Sequence, residues 1–300
     1  MPVSFYEVAW IFVIYAFLGW CTEVAYATLK TGKFVNRGFL NGPVCPIYGF
    51  GVLVVILVLT PLKHRILILL AGSIVLTTVI ELITGFILEK LFHNQWWDYS
   101  DQRFNFHGYI CLRFSILWGI ACTLIMDVIH PTIHKVIQIV PETPGMVVLV
   151  IFCIVFGMDM IITINTILKF NERLKVLDEI EVKLKVVSNE IGENIYGGVT
   201  TVIEKSDGLK ETFEIKSAEF SENHEELLEN FSTLKNNING KKEELAHLQA
   251  KYREVLERRS TGEKRLLQAF PDMKVNRYEE SFKKLKKFIE EKRTDNHPKK

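Results

Sequence analysis

"FYEVAWIFVIYAFLGWCTEVAYATL", residues 5–29, contains only Glu7 and Glu23 as charged groups in 25 positions. A helix rises about 1.5 Å per residue, so about 20 apolar residues cross a hydrocarbon core of about 30 Å. The stretch therefore reads as a transmembrane helix. Four more apolar runs follow at 48–61, 66–92, 110–130 and 146–168. Together they predict an all-α protein: a polytopic membrane helix bundle of about five spans. The run at 48–61 is short, and it either gains depth from the residues before it or is re-entrant. No Lys or Arg precedes the first run and no small-residue cleavage site follows it, so it reads as a retained span.

The composition changes sharply along the chain. Up to Lys169 there are 10 Lys+Arg and 9 Asp+Glu, whereas beyond it there are 26 of each. We expect two domains, a bundle at 1–169 and a charged helical region at 170–300. Within that tail, 171–230 carries 7 basic against 15 acidic residues and 231–300 carries 19 against 11. Five crossings put the termini on opposite faces of the membrane, and so charged a tail belongs in the cytoplasm, which leaves the N-terminus outside. Lys30, Lys33, Arg37, Lys90 and Arg103 then lie inside against Lys63, Arg65 and Lys135 outside, a mild positive-inside bias.

Outward from the first span comes "FVNRGFLNGPVCPIYGFG", residues 34–51. Its glycines allow tight turns, and Pro43 and Pro46 prevent a regular helix. Irregular backbone at membrane depth is tolerated where it is buried in protein or lines a wet cavity. Asn36, Arg37, Asn41 and Tyr48 supply polar groups there. A second such stretch, "WWDYSDQRFNFHGYICLRFSILWG" at 96–119, brings Asp98 and Arg113 and is expected on the same side. His107 alone reads as a solvated interfacial histidine.

Inside the spans, Tyr15, Gly19 and Glu23 share a helix face, as do Thr77 and Glu81, Thr123 and Asp127, and Asp159, Thr163 and Thr166. Ionisable groups in a bilayer are costly and point to function, although salt bridges can simply hold a bundle together. The candidate substrate-binding set is Glu23, Asn36, Arg37, Asn41, Tyr48, Asp98 and Arg113. Glu23 and Arg113 are expected to pair, or to hold a polar or anionic group.

The five cysteines form no CxxC pair and have no histidine cluster, which argues against a disulfide framework, a zinc site or any other metal centre. No GxxxxGK[ST], GxSxG or HExxH motif occurs, so no cofactor and no catalytic residue is assigned.

The motifs GWCTE (19–23), FVNRGFLNGPVCPIYGFG, WDYS (97–100), CLRFS (111–115) and WG (118–119), in that order, resemble the bacterial membrane family of putative ABC-transporter type IV permeases. The likeness covers roughly the first 130 to 170 residues. It implies a permease-like protein whose ATPase is a separate polypeptide, and it brings no assigned site residues. Two alternatives stand beside it. One is a membrane-embedded enzyme acting on a lipid or isoprenoid-linked phosphate, with Glu23 as base. The other is a membrane-anchored scaffold acting through its tail.

In the tail, Leu177, Ile180, Leu184, Val187 and Ile191 form a helix face that Gly192, Gly197 and Gly198 are expected to interrupt. Phe213, Phe220, Leu227 and Leu234 recur every seven residues in a coiled-coil-like pattern, and "NNING" ending at Gly240 reads as a turn. A third helical pattern runs to Pro271 and a fourth includes Phe282 and Leu285. These stripes suit a homo-oligomer or a protein partner. The frequent glutamates exclude nucleic acid.

Overall fold

The computed structural model describes residues 4–211, 217–258 and 260–295. It is almost wholly helical. Four helices are long and apolar enough to cross a membrane: α1 (Phe5–Thr31), α3 (Ile66–Phe92), the run Leu112–Ile139, and the first part of α6 (Glu142–Glu211). The shorter apolar helix α2 (Pro46–Leu59) continues as a 3₁₀ turn, Thr60–Leu62. The chain divides into two compact units, Met1–Asn171 with Arg259–Glu279, and Glu172–Arg258 with Glu280–Lys300.

Local chemistry sets the ends of these helices. Ser4 caps α1, its hydroxyl accepting from the Glu7 N–H at 3.2 Å, and Gly32 stops the helix at φ 67°. Both satisfy terminal groups that would otherwise lack partners. Pro46 opens α2 at a position where its missing N–H costs nothing. The run Leu112–Ile139 comprises α4 (Leu112–Leu124), a π-helical turn Ile125–Ile129 and α5 (His130–Ile139). Pro131 cannot donate to an α-helical ladder, which accounts for the wider turn before it.

The core of the first unit lies where Ile11, Val55, Ile56 and Leu69 become fully buried. α1 and α2 approach closely because Gly19 and Gly49 lack side chains. A Cβ at Gly19 would lie 2.3 Å from Tyr48 Cβ, and one at Gly49 would lie 2.7 Å from the Phe12 ring. Small residues at such contacts let helix backbones meet in a membrane, where little hydrophobic driving force exists between helices. Outward-facing positions stay apolar and exposed, including Leu67, Val75 and Ile161.

The same unit contains four two-residue strands: β1 (Asn94–Gln95), β2 (Asn105–Phe106), β3 (Ile110–Cys111) and β4 (Lys274–Val275). β2 and β3 form a hairpin, and β1 pairs antiparallel with β4, Asn94 opposite Val275. A nine-residue helix, α8 (Thr261–Ala269), precedes β4. The expected helix running on to Pro271 therefore breaks at Arg258, and α8 restarts with Ser260 accepting from the Glu263 N–H at 3.4 Å.

In the second unit the later part of α6 and α7 (Ser217–Glu257) run antiparallel, Arg173 meeting Val255 and Glu190 meeting Lys241, with α9 (Glu279–Asp295) against them. Leu174 and Leu177 are fully buried, as is Leu285 of α9. Arg173, itself buried, donates to the carbonyls of Val255 and Leu256 at 3.0 and 2.9 Å, satisfying the end of α7. Two expected breaks do not occur: α6 is continuous through Gly192 and Gly197, and α7 through the NNING segment. A helical glycine costs only about 1 kcal/mol relative to alanine, and the Lys241–Glu190 ion pair at 2.7 Å ties α7 to α6 beside Gly240. Phe213 lies outside the described residues, as do the side chains of Phe220 and Leu227.

Candidate functional site

The Gly-Pro segment after α1 is irregular but fully tied down. Asn36 fixes its first turn, its Oδ1 accepting from Trp20 Nε1 at 2.7 Å and from the Gly38 N–H at 3.1 Å. Its Nδ2 donates to the Asn41 carbonyl at 2.6 Å. Asp159 of α6 then grips the far side. Its Oδ1 accepts from the Asn41 N–H and Nδ2 at 3.2 and 2.8 Å, and its Oδ2 from the Gly42 N–H at 2.7 Å. Asn41 Nδ2 also donates to Thr163 at 3.1 Å. Backbone that forgoes helical hydrogen bonds needs partners of this kind at every turn.

Glu23 sits beside this segment, one helix turn past Gly19. Tyr48 donates to its Oε1 at 2.5 Å, and Arg37 Nε lies 3.3 Å from its Oε2. Both carboxylate oxygens are thus engaged. The Arg37 guanidinium also covers the Tyr26 ring at 5.1 Å, and Trp118 meets the Tyr48 ring edge-on at 5.5 Å.

The second loop meets the first through Phe39 against Trp96, 5.1 Å apart. Gly108 turns it at φ 74°, and a Cβ there would lie 2.5 Å from Asp98 Oδ1. Asp98 is held by Ser100 Oγ at 2.5 Å and by Lys274 Nζ at 2.5 Å. Burial would raise its pKa, but the hydrogen bonds from Lys274 and Ser100 outweigh it and hold the carboxyl below its ordinary value. Tyr109 donates to Glu89 Oε2 at 2.5 Å, and burial, followed by that carboxylate, raises the Tyr109 hydroxyl to about 12.

Five of the sequence-selected residues therefore come together: Glu23, Asn36, Arg37, Asn41 and Tyr48. Asp98 stands apart with Lys274. Arg113 is exposed at the start of α4 and faces the Phe114 ring at 5.9 Å, lining a shallow groove with Asp101 and Arg103. The partner of Glu23 is Arg37, which the local turn brings back over α1.

Residues 260–279 add members that the sequence did not point to. Arg265 donates to three successive carbonyls of the first loop: Gly38 at 2.9 Å, Phe39 at 3.0 Å and Leu40 at 2.8 Å. Phe270 packs edge-on against Trp96 at 5.0 Å, and Asn276 donates to Glu89 at 2.8 Å. Burial lowers the pKa of Arg265 while the charge of Asp159 opposes that shift. A Ser260-to-Glu263 capping pattern is the one legible sign of this segment, and it marks a helix start without naming its partner. Among the described residues no group of three or more His, Cys, Asp or Glu is placed to hold a metal.

The chain matches the family described as "Putative ABC-transporter type IV" over residues 10–164. No curated protein and no solved structure matches it. The matched region is more than half of the 300 residues, and the chain belongs to that family.

Proposed function

We propose that this family member is the membrane-embedded subunit of a transporter, with its polar site where the loops 32–45 and 93–111 meet. The single observation behind this reading is the Gly-Pro loop itself. It is non-helical, lies between two apolar helices, and is fastened by carboxylates from α1 and α6, Glu23 and Asp159. Helix-breaking backbone held by polar groups at membrane depth is how transporter substrate sites are commonly built. Glu23 and Arg37, a part-exposed pair beside that loop, are the groups a polar or anionic substrate would part.

In this reading the loops and the tail face the cytoplasm, the N-terminus faces outward, and a separate ATPase docks on the cytoplasmic side, since the chain has no phosphate-binding loop. The test is purification from native membrane, with mass spectrometry of what accompanies wild type and the Glu23→Gln and Arg37→Gln variants. A stoichiometric ATPase supports the transporter. A lipid phosphate retained by wild type and lost by both variants, with no ATPase present, would favour a membrane enzyme instead. A soluble partner lost when residues 172–258 are deleted would favour a scaffold.

A further inference from the structure

Glu23, Glu89, Asp98 and Asp159 each have both oxygens, or a cation, accounted for. Glu81 differs. It lies near the middle of α3, is only 9% exposed, and its helix is otherwise strongly apolar. Tyr99 donates to its Oε1 at 3.2 Å. Its Oε2 is fully enclosed and has no hydrogen-bond partner, and no ion pair reaches it among the described residues.

The groups that face it offer no counter-charge. From the loop after α3 comes the Tyr99 hydroxyl, whose ring stacks on Phe114 at 4.7 Å, with Cys111 beside it. Beyond Tyr99 lie Glu23 of α1 and Tyr48 of α2. Arg37, the cation that reaches this pair among the described residues, is engaged by Glu23. Along α3 itself, Glu89 is engaged by Tyr109 and Asn276.

An ionised carboxylate enclosed in this way keeps one oxygen with neither donor nor cation, which is the costliest state a polar group can have in an apolar bundle. A bound proton removes the charge, which is the larger part of that cost, without any rearrangement. Further polar groups lie on either side of the site. On the same helix face, two turns away, Ser73 is fully buried with an unpartnered hydroxyl, and Thr77 lies between them. In the other direction Tyr99 leads toward the Glu23 and Tyr48 pair beside the loops.

We propose that Glu81 is a proton-binding site of the bundle, taking up and releasing a proton on its carboxyl while Tyr99 steadies the ionised form from the loop side. The proton adds to the bare Oε2 and leaves from it. No oxidant, metal or nucleotide takes part. The proposal rests on the helix bundle and stands independently of the transporter reading above.

The test uses the whole protein in lipid vesicles and a hydrophobic carbodiimide, which modifies carboxyls that carry a proton in apolar surroundings. Peptide mass spectrometry across a pH series should place the adduct on Glu81 and leave Glu23 and Glu89 unmodified. Labelling should fall as pH rises, vanish in Glu81→Gln, and ignore added sodium or potassium. Protection by sodium at constant pH would make this a metal-cation site and overturn the proposal. Reagent access is removed as a variable by infrared spectroscopy. The carbonyl band of a protonated carboxyl should be present in wild type and missing in Glu81→Gln, and its absence from wild type at acid and neutral pH overturns the proposal. Tyr99→Phe keeps the ring and removes the one donor to the ionised form, so its band should persist to higher pH than in wild type. An unchanged profile would remove Tyr99 from the site.

Discussion

The exposed ion pairs of the second unit and the loop contacts of the first hold charge in opposite ways. In the second unit Lys175 reaches Glu179 at 3.7 Å and Lys292 reaches Glu257 at 3.0 Å, all four side chains about half exposed. In the first unit, Asp159 binds two backbone N–H groups and an amide, and Arg265 binds three carbonyls. The first kind of contact competes with water and gains little. The second replaces hydrogen bonds that an irregular backbone has no other way to make, so losing one partner strands the other. The exposed pairs of the tail are therefore largely a matter of solubility, whereas Asp159 and Arg265 in the bundle, like the buried Arg173 at the end of α7, are a matter of shape.

The largest effect should come from Asp159. Asp159→Ala removes the acceptor of the Asn41 and Gly42 N–H groups and of the Asn41 amide. It should cost about 2–3 kcal/mol, read as a lower unfolding midpoint in detergent. Asp159→Asn keeps one acceptor oxygen and should recover part of that loss. If the two variants unfold alike, the carboxylate's second oxygen carries no weight.

Arg265 comes next. Arg265→Ala leaves the Gly38, Phe39 and Leu40 carbonyls without their donor and should cost about 1–2 kcal/mol, with faster proteolysis near residues 36–42. Arg265→Lys should behave almost as badly, because one ammonium cannot reproduce a fork that spans three carbonyls. Full protection in the lysine variant would mean that the charge matters and the fork does not.

These two residues also mark what the sequence could and could not disclose. The spans were legible because apolar length is a local property, and so was the Gly-Pro loop, whose residues announce turns. The Glu23 and Arg37 pair is only 14 positions apart and was within reach of the same reading, although Arg113 looked the better partner. Asp159 is 117 residues from Gly42, and Arg265 is 225 from Leu40. No periodicity links positions so far apart. The asparagine-rich NNING segment misled for a different reason. A turn signal is an average over contexts, and antiparallel packing on α6 overrides it at Gly240.

A smaller effect is expected at Asp98, where pH separates the contact from mere proximity. Its folded pKa lies below the unfolded value of about 3.9, so the ionised form is favoured by folding. The stabilisation is complete above that unfolded value and is lost as pH falls through the folded one. Lys274→Met should abolish most of this acid sensitivity while changing stability at neutral pH by no more than about 1 kcal/mol, since Lys274 is half exposed. Retained acid sensitivity in that variant would shift the credit to Ser100.

The smallest effect is the one that tests the contrast most directly. Lys175→Ala deletes an exposed pair one helix turn apart, and unfolding of the purified protein should move by less than about 0.5 kcal/mol. Alanine even favours the helix slightly, which offsets part of the lost attraction. The pair should also disappear into the noise at high salt, because both partners are solvated, whereas the Arg265 contacts should not. A Lys175 variant as damaged as Arg265→Ala, or an Arg265 variant rescued by low salt, would show that both units draw on the same electrostatics and that the distinction between shape and solubility fails.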